Sequence, residues 1–157
     1  MNKRTLLWNE QKEAYEQRQP LYWKDMEIGQ VFEPFAFAIT EEVAQEVREI
    51  TGARDQLGDP DQSSSMPGNI VPQAISMIFG RLSYLGEKYR PAPGGILLGI
   101  SFWFIKPAQI GDIITSRAKV IAKEERKGKK YFALRCESVN QHGEMISIME
   151  QEGILPL

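Results

Sequence analysis

From residue 95 onward the chain is built of short strand-like runs, two of which clearly alternate apolar and polar side chains. Four of them read as strands: "GILLGISFWFIKP" (95–107), "DIITSRAKVIAKEE" (112–125), "KKYFALRCESVN" (129–140) and "EMISIMEQEGIL" (144–155). In the third, Phe132, Leu134 and Cys136 share one face, and Tyr131, Arg135 and Glu137 the other. In the second, Ile114, Ala118, Val120 and Ala122 oppose Arg117, Lys119 and Ile121. A period of two is the mark of a half-buried strand. The connections "ERKGKK", around Gly128, and "NQHGE", around Gly143, are short and rich in turn residues. Short connections make consecutive strands antiparallel neighbours.

The first half has a different rhythm. Val31, Phe35 and Phe37 share a strand parity within "WKDMEIGQVFEPFAFAIT". "ITEEVAQEVREITG" then predicts a helix, with Thr40 as N-cap, Glu41 and Glu42 in the first turn, and Val43, Val47 and Ile50 at helical spacing. Gly52 is its expected stop. A long polar stretch, "TGARDQLGDPDQSSSMPGNIVPQ" (51–73), follows. Connections of this length inside a small domain are usually functional or disordered. Pro72 opens "PQAISMIFGRLSYLGEKY", where Ile75, Ile78, Phe79, Leu82 and Leu85 recur at i, i+3, i+4, i+7. Ala74, Met77 and Gly80 leave the other sides small or apolar, so this segment predicts a buried helix, Pro72–Glu87. A helix apolar all round needs a wrapper, and the four strands supply one. The expected class is α+β: one domain, with a curved antiparallel sheet around a central helix. Residues 1–20, polar and closed by Pro20, read as an N-terminal extension, and 21–157 as the domain.

Composition narrows the functions. The chain has 157 residues, which suits a single domain with a real core. A net charge of −2 leaves no basic face spread over the whole molecule, so nucleic acid is not an expected partner. One cysteine, Cys136, forbids a disulfide within the chain and suits a reducing, cytoplasmic setting. No apolar run approaches the length of a membrane helix or of a signal peptide, so no membrane association is expected.

The element order and several segments resemble the hotdog fold, and more narrowly the MaoC-type acyl dehydratase and R-specific enoyl-CoA hydratase family. "FAITEEVAQEVREITG" is similar to that family's strand–helix entry into its catalytic loop, and "IVPQAISMIFGRL" to the start of its central helix. "FWFIKPAQIGDIIT" resembles its aromatic strand followed by Lys-Pro and Gly-Asp, and "VIAKEERKGKKYFALRCESVNQHGE" its terminal hairpin. The resemblance covers about residues 23–155. "KPAQIGD" is its most specific piece, and by itself it is turn chemistry, which speaks for the fold rather than for an activity.

Hydratases of that family carry an Asp and, five positions later, a His in a Gly-Asp-x-Asn-Pro-x-His pattern. The pair holds the water that adds to, or leaves from, the β-carbon of an acyl thioester. On "TGARDQLGDP", Gly52 matches the Gly, but the Asp position falls on Ala53 and the His position on Gly58. Neither can move a proton. The single histidine, His142, belongs to the "NQHGE" turn and reads as a solvated turn residue. Asp55 and Asp59 remain as replacement catalytic carboxylates, since an apolar tunnel can raise a carboxyl pKa until it serves as acid or base alone. The competing reading makes them, with Asp61, loop carboxylates or caps.

The resemblance also implies that a backbone N–H at the start of the central helix polarises the thioester carbonyl. Pro72 has no N–H, so Gln73 or Ala74 would donate. Met66, Asn69, Ile70, Val71, Tyr84 and Trp103 join Pro72 and Gln73 as the expected substrate-binding set, with plain core as the competing fate of the apolar ones. Asp59, Asp61 and Ser63 lack the Gly and Glu of a calcium loop, and no metal is expected. "KEERKGKK" reads either as a solvated hairpin tip or as a contact for coenzyme A phosphates. No cofactor is expected beyond coenzyme A as part of the substrate.

Three functions follow from the resemblance and its missing pair. The first is an acyl-CoA dehydratase or enoyl-CoA hydratase subunit that binds acyl thioesters while a related chain supplies the pair. The second is an enzyme, hydratase or thioesterase, working through Asp55 or Asp59. The third is a non-enzymatic protein that binds an acyl group or a partner. Each expects a homodimer or heterodimer with a hotdog chain, because a single curled sheet leaves an edge to cover.

Overall fold

A computed structural model describes residues 13–51 and 85–156. The loop 52–71 and the expected central helix, up to Tyr84, lie outside them. The four strand-like runs are strands: β4 (Ile96–Phe104), β5 (Ile113–Arg126), β6 (Lys129–Val139) and β7 (Met145–Ile154). Earlier in the chain come β1 (Gln19–Leu21), β2 (Phe35–Ala38) and β3 (Tyr89–Pro91). The main sheet runs β2-β5-β6-β7-β4, with every neighbouring pair antiparallel. β1 and β3 form a separate parallel pair.

Local chemistry sets the turns. Arg126 pairs with Lys129 across a two-residue loop, in which Lys127 (φ 51°) and Gly128 (φ 74°) are both left-handed. That geometry twists the ribbon as the β5–β6 hairpin requires. In "KPAQIGD", the Asp112 carboxylate accepts the Gln109 N–H at 2.9 Å and the Gln141 side-chain amide at 3.2 Å. This Asp closes its own turn and ties it to the β6–β7 turn. Asn140 closes the latter, its side-chain oxygen accepting the His142 and Glu144 N–H groups at 3.0 Å each.

The helix α1 (Glu41–Thr51) begins as expected. The Thr40 hydroxyl accepts the Val43 N–H at 3.2 Å and its carbonyl accepts the Ala44 N–H at 3.0 Å. Val43 and Ala44 bury against Ile39, Ala108, Ile114 and Ile146. A second, larger cluster covers the other end of the sheet, from Leu21, Met26 and Phe32 to Leu134, Cys136 and Met149.

Two expected parities shift by one residue, each for the same reason. In β5 the register steps from Val120↔Leu134 to Ala122↔Ala133, so Ile121 is an extra residue and Ala122 turns to the face opposite Val120. Before β2, Val31 bridges Lys119 while Phe35 pairs with Ser116, four residues against three. Phe32 therefore faces the core and Val31 is exposed. The chain before β2 is anchored to the domain as well: Leu21 and Met26 are buried, and the Trp23 indole N–H donates to the Tyr131 carbonyl at 2.8 Å.

Candidate functional site

The register sorts the sheet into two faces. Three rows cross the inner face: Val120–Leu134–Gln151–Ile100, Ala118–Cys136–Met149–Phe102 and Ser116–Ser138–Ser147–Phe104. The outer face carries Arg117–Glu137–Ile148–Trp103 and Lys119–Arg135–Glu150–Ser101, with Arg135 bonded to Glu150 at 2.9 Å and to Glu137 at 3.1 Å. In these rows charge lies on the water side, and the inner rows are apolar but for Gln151 and the serines.

The serine row is the chemically distinctive part of the inner face. Ser116, Ser138 and Ser147 are all buried. The Ser116 and Ser138 hydroxyls share a hydrogen bond of 2.7 Å. The row lies between the two apolar clusters, so a polar band divides the core at the Phe104 end of β4. Next to it, Phe102 and Phe104 stack 5.9 Å apart with their rings 6° from parallel. Their inward parity was not assigned from sequence, because β4 is apolar on both faces and alternation gives no signal there.

Among the described residues β4 is an edge strand, and it exposes apolar side chains on both faces. Ile96, Leu97, Leu98, Ile100, Trp103, Phe104 and Ile105 are all exposed. It carries no charge and no proline from Ile96 to Ile105. An edge of this kind is a template for another strand unless something covers it.

Of the expected site residues, Trp103 alone falls among the described ones. It sits on the outer face, beside Ile148 in the register, and is 45% exposed. Ala53, Asp55, Gly58, Asp59, Met66, Asn69, Val71, Pro72, Gln73 and Tyr84 lie outside the described residues. α1, which leads into that loop, packs on the Ile114–Ile146 end of the sheet. His142 is exposed in the β6–β7 turn, its ring nitrogen 3.3 Å from the Gln141 amide. Lys106 and Glu144 form an ion pair, and this first, with Asn140 second, pulls the Glu144 carboxyl below its usual pKa.

Cys136 is buried on the inner face, and burial first, then Glu137, pushes its thiol up to about 12. It stays protonated and unreactive in the folded chain. The basic hairpin is engaged with its own domain: Lys123 and Lys130 stand over the Trp23 ring at 4.2 and 5.5 Å, and Arg126 over Tyr131 at 4.3 Å. Among the described residues there is no metal-ligating cluster and no helix long and apolar enough to cross a membrane.

No family model and no curated protein sequence matches the chain. Solved structures do. An R-hydratase, PhaJ1, from Pseudomonas aeruginosa is 21% identical with a TM-score of 0.69, over 88% of this chain and 88% of that one. A MaoC-like dehydratase from Rhodospirillum rubrum is 19% identical with a TM-score of 0.68, over 87% and 99%. The HadBC 3R-hydroxyacyl-ACP dehydratase complex of Mycobacterium tuberculosis is 17% identical with a TM-score of 0.55, over 81% and 96%. The fold of this chain is the fold of these proteins, the hotdog fold.

Proposed function

We propose that this chain is a MaoC-type hotdog subunit that binds acyl thioesters and works in hydration or dehydration with a second hotdog chain, which supplies the proton-handling Asp and His. The carrying observation is the pairing of a lost site with an uncovered edge. Ala53 and Gly58 stand at the two positions where the family pattern has its acid and base. At the same time β4 offers an uncharged, apolar edge, next to the Phe102–Phe104 pair and the serine row. A partner strand added along β4 extends the sheet and brings a second chain against the inner face. A chain without its own acid and base can then share a partner's pair. That one of the similar structures is a complex, HadBC, supports a mixed assembly.

The chain's own contribution is binding and positioning. Stacked rings and an apolar inner face hold an acyl tail and exclude water. The N–H of Gln73 or Ala74 would polarise the thioester carbonyl, drawing charge away from the β-carbon bond at which water adds.

The test is hydration of crotonyl-CoA by the purified chain, alone and mixed with hotdog chains that carry the Asp/His pattern. The proposal expects turnover only on mixing, with a complex of the two chains by light scattering. Turnover by the chain alone, abolished in Asp55→Asn or Asp59→Asn, would instead establish a carboxylate enzyme.

A further inference from the structure

We draw no further inference here: the strongest candidate, the outer edge of β4, which no strand pairs among the described residues and where Trp103 and Ile105 stay exposed, belongs to the partner surface already proposed, and nothing in the structure shows which chain covers it.

Discussion

Ser116 and Ser138 bury two hydroxyls against each other at 2.7 Å. Removing one partner leaves the other buried beside a methyl group. Ser116→Ala is expected to cost about 1–3 kcal/mol in denaturant unfolding, and the Ser116→Ala/Ser138→Ala double variant less than the sum of the singles. Additive losses would mean that the pair carries no coupling. Cys136, one row away, gives a pH signature. Its pKa in the folded chain, about 12, lies above the ordinary thiol value of 9.0. Below pH 9 folded and unfolded chains both hold the proton, so stability is insensitive to this group. Above it the unfolded chain ionises first, and stability falls as pH rises from 9 toward 12. Cys136→Ala should flatten that decline relative to the parent, and a thiol reagent at pH 8 should modify the parent only at its unfolding rate.

Elements show where sequence and structure part. The alternation that defines β5, β6 and β7 was legible because one face of each is wet, and Arg135, Glu137 and Glu150 mark it. The Thr40 cap and the helix it starts were legible for the same reason: capping is local chemistry. Bulges are not, since Ile121 looks like any other strand residue until its partner is known, and one extra residue turns every later side chain over. β1 and β3, three residues each, contain no alternation to read, and their pairing joins segments some seventy residues apart. β4 hides its faces because both are apolar. Close approach within the sheet makes a sharper test. A Cβ on Gly153 would stand 2.7 Å from the Phe132 ring and 2.9 Å from the Ile96 carbonyl oxygen. Gly153→Ala should therefore lower stability by about 1–3 kcal/mol through overpacking. An unchanged unfolding midpoint would mean that β4 and β7 are not held that closely.

At the scale of the whole molecule, the hotdog sheet has two edges with different fates. β2 is backed by the N-terminal segment, whose Arg18 stacks near Phe35. Among the described residues no strand pairs with the outer edge of β4, and that is the edge at which the proposed partner would add. For the candidate site the sequence offers an expectation only: on the resemblance, Ala53 and Gly58 take the places of an acid and a base, both lie outside the described residues, and the resemblance is carried by turn and helix-start residues rather than by catalytic ones. The proposed division of labour, binding here and proton transfer from a partner, separates affinity from turnover. Calorimetric titration of the purified chain with crotonyl-CoA, followed by assay of the same sample for hydration, addresses that separation most directly. The account predicts saturable binding with no turnover, and turnover once a hotdog chain carrying the Asp/His pair is added. Absence of crotonyl-CoA binding both alone and with such a partner would contradict it.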